Sequence, residues 1–165
     1  PYVKENLALL QYAYDSKTGK VTPLETKNAK PPLGTGPRHM AYHPTLPMVY
    51  FSNEQGIGLS SYRREINGEL KVAQDINILP AGMSKIGLSA SDLIITQDGK
   101  FIFSFIRGHS QDINRIYRYR ILKDGRAEFI GLTKADRIPW GLTLSPDGKF
   151  LLVSATAGAS LTACL

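Results

Sequence analysis

One turn motif recurs three times along the chain. It reads Ser-Pro-Asp-Gly-Lys-Phe at residues 145–150, Thr-Gln-Asp-Gly-Lys-Phe at residues 96–101 and, in degenerate form, His-Pro-Thr-Leu-Pro-Met at residues 43–48. A short apolar run precedes each copy and a longer apolar run follows it. Repeats of about 50 residues that consist of short strands and tight turns are typical of blade arrays rather than of ordinary domains.

The remainder of each unit also recurs, as two further apolar runs joined by a turn. Asn67-Gly68 and Asp124-Gly125 lie at these turns, and both suit hairpins because Gly and Asn tolerate a positive φ. Basic and bulky residues largely alternate over residues 115–121, which indicates a strand. No stretch shows a helical period, so the sequence predicts an all-β fold. Four apolar strand residues are expected to be buried in or between blades: Phe101, Phe103, Phe150 and Leu152.

The units divide the chain into a half blade at 1–33, blades at 37–79 and 90–133, and a half blade at 139–165. The prediction is a β-propeller segment of about three four-stranded antiparallel blades, with a small β-sandwich as the alternative. Closed propellers contain about 4–8 blades, so we expect a segment of a longer protein that is inactive by itself. Its uncovered apolar faces favour self-association.

The composition limits the classes of function that the chain can have. Apolar residues make up 42% and charged residues 21% of the chain, and no apolar run reaches the length of a membrane helix. The single cysteine, Cys164, excludes an internal disulfide and a zinc cluster and is compatible with a cytoplasmic location. The net charge of +6 is scattered along turns and strand edges without a nucleic-acid motif. A small anionic ligand or an ordinary basic surface explains that charge better than nucleic acid does, and no metal or cofactor is predicted.

Alignment of the repeats predicts a site. Equivalent positions in successive blades lie at equivalent heights around the propeller axis. Ten residues after the second residue of each motif copy lie Glu54, Arg107 and Thr156, and six residues before it lie Arg38, Ser91 and Trp140. Both sets abut the ends of inner strands, where side chains reach the central channel. The channel mouth is a usual place for a propeller ligand. The alternative is a structural salt bridge between Arg107 and Glu54 of adjacent blades.

Three stretches resemble the lactonase family of seven-bladed propellers. They are Gly-Pro-Arg-His at residues 36–39 with Ser-Asn-Glu at 52–54, the stretch 89–109 that ends in Arg-Gly-His, and Pro-Trp-Gly-Leu at 139–142 with the turn that follows. This family includes the propeller-type 6-phosphogluconolactonases and the carboxymuconate lactonizing enzymes. The resemblance spans essentially the whole chain, and it implies that the full ring has seven blades.

The resemblance also implies site residues. It makes Arg38, Glu54 and Arg107 the catalytic groups and Arg38, Arg107, His39 and His109 the substrate-binding groups, with no metal. A further family histidine would belong to a blade that precedes this sequence. Two positions depart from the family pattern: Ile106 replaces an asparagine, and Trp140 replaces an arginine. The first change weakens a polar contact near Arg107, and the second removes a cation from the channel.

The chemistry of these residue types supports three functions. Two guanidiniums can hold an anionic substrate and stabilise an oxyanion. Glu54 could be a general base, although two neighbouring arginines favour its ionised form and thus an orienting role. His39 is expected to be a packed or hydrogen-bonded histidine rather than the catalytic acid. The preferred function is hydrolysis of a phosphorylated or carboxylated sugar lactone, and the alternatives are a cycloisomerase and a non-catalytic binding propeller.

Overall fold

The structure, a computed structural model, describes residues 8–79, 82–110, 112–158 and 160–164. These residues form antiparallel sheets, and their one helical element is the 3-10 turn Glu25–Lys27. A two-stranded sheet pairs β1 (Tyr12–Tyr14) with β2 (Val21–Pro23). Blade A contains β3 (Pro37–Tyr42), β4 (Met48–Asn53), β5 (Gly58–Arg64) and β6 (Leu70–Asn77).

Two further sheets follow in the same strand order. Blade B contains β7 (Leu88–Ile95), β8 (Phe101–Gly108), β9 (Arg115–Ile121) and β10 (Ala127–Lys134). Blade C contains β11 (Pro139–Leu144), β12 (Leu151–Ala155) and β13 (Ser160–Cys164), which is one strand more than a half blade. Each sheet joins sequence neighbours through hairpins, so the predicted all-β propeller segment is confirmed. None of the helices among the described residues has the length and apolar character that crossing a membrane requires.

The recurring motif forms a self-contained turn. The Thr96 hydroxyl donates to Asp98 Oδ1 over 2.6 Å, and the Lys100 N–H donates to the same oxygen over 3.1 Å. The hydrogen bond from the Thr96 hydroxyl is the main cause, and that from the Lys100 N–H the second, of a pKa of Asp98 lowered to about 2. Gly99 takes a φ of 71°, which glycine adopts without a steric penalty. The copy at residues 145–149 repeats the same two hydrogen bonds.

The degenerate copy at residues 43–48 replaces this carboxylate with an imidazole. His43 Nδ1 accepts the N–H groups of Thr45 and Leu46 over 3.1 and 2.9 Å. Its Nε2 lies 3.0 Å from the carbonyl oxygen of Gly99, in the equivalent turn of blade B. His43 is therefore a structural residue that fixes one turn against the next.

The main core lies between blades A and B. Tyr50, Leu59, Ile102, Ile106 and Tyr119 have no solvent exposure there. The Tyr50 hydroxyl donates to the carbonyl oxygen of Gly125 over 2.7 Å and so links the two blades. A second cluster joins blades B and C through Phe105, Ile116, Ala135, Leu151 and Val153.

The prediction that Phe101, Phe103, Phe150 and Leu152 are buried in or between blades holds only in part, because Phe103 packs against the cluster between blades B and C but none of the four is fully buried. Phe101, Phe103 and Leu152 are partly exposed, and Phe150 is 37% exposed. The three phenylalanines line a cleft of about 710 Å³ between blades B and C, where the two sheets diverge. Leu152 alternates with the buried residues of β12 and so lies on the opposite face from the packed one.

The inner strands are β3, β7 and β11, and β7 packs against both of the others. Each inner strand contains a β-bulge at the same place in the repeat. The regular pairing breaks between Pro37 and Met40, between Ala90 and Leu93, and between Pro139 and Gly141. Bulges kink a strand and redirect its side chains, so these three positions form a set at one level of the array.

Candidate functional site

The three bulges carry the polar groups of the candidate site. Arg38 and His39 occupy the first bulge, Ser91 and Asp92 the second, and Trp140 the third. A bulge leaves an N–H group outside the regular pairing, and serine satisfies it in two of the blades. Ser52 Oγ accepts the His39 N–H and Ser154 Oγ accepts the Gly141 N–H, each over 3.2 Å.

Glu54 lies between the two predicted arginines. Its Oε1 is 2.8 Å from Arg107 Nη2 and 3.4 Å from Arg38 Nε. The backbone also fixes Glu54, because its N–H donates to the Gly36 carbonyl oxygen and its own carbonyl oxygen accepts the Ala90 N–H. The structure therefore brings together Arg38, Glu54 and Arg107, as the repeat alignment predicted for their positions.

Arg107 is the most deeply buried charge of the cluster, with a side chain only 3% exposed. Its Nε donates to Ser89 Oγ over 3.1 Å. Burial lowers the pKa of the Arg107 guanidinium, and the nearby Arg38 charge lowers it further, while Glu54 raises it. An arginine stays protonated in proteins under such shifts, so Glu54 compensates a buried positive charge.

Trp140 covers both arginines. Its ring centroid lies 4.6 Å from the Arg107 Cζ and 5.5 Å from the Arg38 Cζ, within the range of cation–π attraction. The side chain is also 47% exposed, so the ring is open to solvent as well as to the cations. The position that the resemblance assigns to an arginine thus holds an aromatic group that stabilises the two remaining guanidiniums.

Arg38 has an unused donor. Its Nη1 is buried, and among the residues that the structure describes it has no hydrogen-bond partner. Buried polar atoms are nearly always paired, so this unpaired guanidinium nitrogen beside a second arginine leaves one hydrogen bond of the cluster unsatisfied. The chemistry of this donor set fits an anion.

His39 and Asp92 form a second polar pair. His39 Nδ1 lies 2.8 Å from Asp92 Oδ1, across the boundary between β3 and β7. Asp92 Oδ2 accepts the Leu142 N–H of blade C over 3.0 Å. Our sequence reasoning missed Asp92 as a site residue. The available signal was the repeat alignment, which places Asp92 at the position of His39 in the next blade.

For two other residues, His109 and Ile106, the structure differs from the prediction. His109 contacts Ser89, with 3.0 Å between Nε2 and Oγ, so it reaches Arg107 only through that hydroxyl. Ile106 belongs to the buried core between blades A and B. Its side chain is on the core-facing side of β8, so the expected weakening of a polar contact near Arg107 has no support in the structure. No cluster of three or more metal-ligating side chains occurs among the described residues.

A family model agrees with this architecture. The model described as "Lactonase, 7-bladed beta-propeller" matches residues 8–164. The chain belongs to this lactonase family. Two relatives are named 6-phosphogluconolactonase: one from Yersinia enterocolitica, 30% identical over 141 residues, and one from Erwinia tasmaniensis, 31% identical over 140 residues. Each match covers 84% of this chain but only 41% and 40% of the respective relative, so the chain spans about two fifths of their length.

Two solved structures share the fold of this chain. A Lactobacillus plantarum protein superposes with a TM-score of 0.84 at 19% identity, over 95% of this chain and 44% of that one. The periplasmic gluconolactonase of Pseudomonas aeruginosa gives a TM-score of 0.82 at 22% identity, over 95% of this chain and 43% of that one. At these identities the likeness concerns the fold, and the site rests on the contacts described above.

Proposed function

We propose that the full polypeptide that carries this chain hydrolyses a small anionic sugar lactone of the 6-phosphogluconolactone type. The observation that carries the proposal is the buried, unpaired Nη1 of Arg38 beside the Arg107–Glu54 pair. Two guanidiniums and one carboxylate leave one positive charge in a partly desolvated setting. A ligand anion compensates that charge and supplies the missing acceptor.

The two arginines have different roles in this proposal. Arg107 is nearly inaccessible and already donates to Ser89 and Glu54, so it organises the cluster. Arg38 is more exposed and retains a free donor, so it contacts the substrate. A fixed guanidinium at this point binds the substrate anion or stabilises the oxyanion that forms when water attacks the lactone carbonyl.

Trp140 offers a surface for the sugar ring. Its exposed aromatic face lies against both guanidiniums, so a lactone bound to Arg38 would lie beside it. Aromatic rings pack well against flat apolar surfaces. The names of the Yersinia and Erwinia relatives, 6-phosphogluconolactonase, support this substrate class.

The test uses the full polypeptide and 6-phosphogluconolactone. We expect Arg38→Gln to lower kcat/KM by about 100-fold, since one bidentate charge-assisted contact is lost. Arg38→Lys should recover only part of this loss, because an ammonium lacks the planar fork. Arg126→Gln is the control, since Arg126 is exposed and, among the residues that the structure describes, pairs with Asp124 in a hairpin turn.

Three results would redirect the proposal. Equal activity of Arg38→Gln and Arg126→Gln would remove Arg38 from the site. Turnover of carboxymuconate in preference to the sugar lactone would indicate a cycloisomerase. Binding of 6-phosphogluconate without turnover of any lactone would indicate a non-catalytic propeller.

A further inference from the structure

Hydrolysis of a lactone requires a group that accepts a proton from the attacking water. Glu54 is poorly placed for this, because one of its carboxylate oxygens is shared between two guanidiniums. A carboxylate held in this way acts as a partner for the cations rather than as a free acceptor. The site contains another candidate, the pair of His39 and Asp92.

Asp92 is held by hydrogen bonds to groups on three strands, β3, β7 and β11. Its Oδ1 accepts the Leu93 N–H over 2.9 Å and lies 2.8 Å from His39 Nδ1, and its Oδ2 accepts the Leu142 N–H over 3.0 Å. An ionised carboxylate only accepts hydrogen bonds, so His39 donates its Nδ1–H to Asp92. This fixes the imidazole tautomer whose Nε2 carries the lone pair.

The free side of His39 is accessible. Its side chain is 42% exposed, and within the described part of the chain Nε2 has no hydrogen-bond partner. An imidazole that is oriented by a carboxylate through one nitrogen, and open at the other, has the arrangement of a general base.

The pair adjoins the anion cluster. His39 follows Arg38 in the bulge of β3, and Asp92 follows Ser91 in the bulge of β7. Ser91 Oγ donates to the carbonyl oxygen of Pro139, the residue that precedes Trp140. The three bulges thus hold the arginine, the histidine and the aromatic ring on neighbouring inner strands.

We propose that His39 Nε2 is the proton acceptor of the lactone hydrolysis and that Asp92 is its positioning residue. The inference rests on the proposed function. Nε2 takes a proton from water as the water oxygen bonds to the lactone carbonyl carbon, and the oxyanion forms beside Arg38. Collapse breaks the carbon–oxygen ring bond, and the imidazolium returns its proton to the leaving alkoxide. The product is the open hydroxy acid, which releases its own proton to solvent.

The pH profile distinguishes this role from a structural one. The charged groups of the elements packed around His39 are Arg38 on β3, Asp92 on β7, Glu54 after β4 and Arg107 on β8. Imidazole is the type among these that ordinarily titrates between pH 5 and 8. We expect kcat/KM of the full polypeptide to fall on the acidic side of that range.

The first experiment compares His39→Gln, Asp92→Asn and the control His43→Gln. We expect His39→Gln to lower kcat by about 100- to 1,000-fold with little change in KM, and to flatten the acidic limb of the pH profile. Asp92→Asn should also lower kcat strongly, because an amide can favour the wrong tautomer. His43→Gln should keep the wild-type profile, since His43 only joins two turns.

The second experiment is chemical rescue in His39→Gly. Glycine occupies the equivalent position in blade C as Gly141, so this bulge tolerates it. Added imidazole should restore activity to His39→Gly but not to Arg38→Gln. If His39 has only a structural role, added imidazole will not restore the activity of His39→Gly.

The outcomes separate the two proposals. Turnover that survives His39→Gln with an unchanged pH profile overturns the His39 proposal while leaving the lactonase function intact. A loss of kcat without change in the profile, and without imidazole rescue, also overturns it. A wild-type polypeptide that turns over no lactone overturns both.

Discussion

Replacing Glu54 by glutamine tests the electrostatic balance of the cluster. The change keeps the shape of the side chain but removes the charge that compensates Arg107, whose guanidinium is 2.8 Å away and almost fully buried. Breaking a buried ion pair from one side costs about 3–5 kcal/mol. Glu54 itself is 30% exposed, so solvent screening reduces the expected cost to about 2–3 kcal/mol.

Anion binding gives this prediction a second readout. Without Glu54, the cluster holds two uncompensated guanidiniums. Inorganic phosphate should therefore stabilise Glu54→Gln more than it stabilises the wild type, because binding to the folded state adds RT ln(1 + [L]/Kd). The assay is denaturant unfolding of the full polypeptide with and without phosphate, and circular dichroism monitors the transition.

Glu128→Gln is the matched control. Glu128 Oε2 lies 3.5 Å from Arg120 Nη1, and both side chains are largely exposed. Such pairs contribute about 0–1 kcal/mol. If Glu54→Gln costs no more than Glu128→Gln, or if phosphate stabilises the wild type and Glu54→Gln equally, then the buried-charge argument is wrong.

Two further predictions concern the scaffold. Gly58→Ala should destabilise the full polypeptide by about 2–3 kcal/mol in denaturant unfolding, because the added methyl group meets the Ile76 backbone carbonyl of β6. Gly158→Ala is its control, since that methyl group meets only the end of a side chain, and an equal loss in both would refute the steric argument. The pKa of Tyr50 and that of Tyr62 are raised to about 12, mainly by burial and secondarily by the charge of a nearby aspartate. Their folded pKa exceeds the unfolded value of about 10, so the stability they contribute is present below pH 10 and is lost as pH rises towards 12. Tyr62→Phe should lose less stability than the wild type over that window in pH-dependent thermal melts; an identical loss would contradict this.

Local chemistry made much of the fold predictable. The turn motif encodes its own geometry, since Thr96 and Asp98 form hydrogen bonds within six residues and Gly99 supplies the positive φ. The repeat of this turn set the register, and the register placed Glu54 and Arg107 at equivalent positions in adjacent blades. These features depend on neighbours in sequence or on the period of the repeat, so they are visible without a structure.

The bulges could not be predicted, and the missed features follow from them. An extra residue in one strand is decided by pairing with the adjacent strand rather than by an apolar pattern. The sequence pattern of β3 therefore gave no reason to pair His39 with Asp92 of the next blade. The exposure of Phe150 has a similar origin, because the divergence of two sheets is a tertiary property.

The equivalence of the bulges bears on how the side-chain chemistry of this surface can change. The residues at the three bulges differ completely: Arg38 and His39 in blade A, Ser91 and Asp92 in blade B, and Trp140 in blade C. Yet each bulge falls at the same place in its inner strand. The residues at these positions could therefore be diversified in a library without redesign of the surrounding sheets. A propeller of this kind presents a modular surface whose side-chain chemistry can evolve one blade at a time.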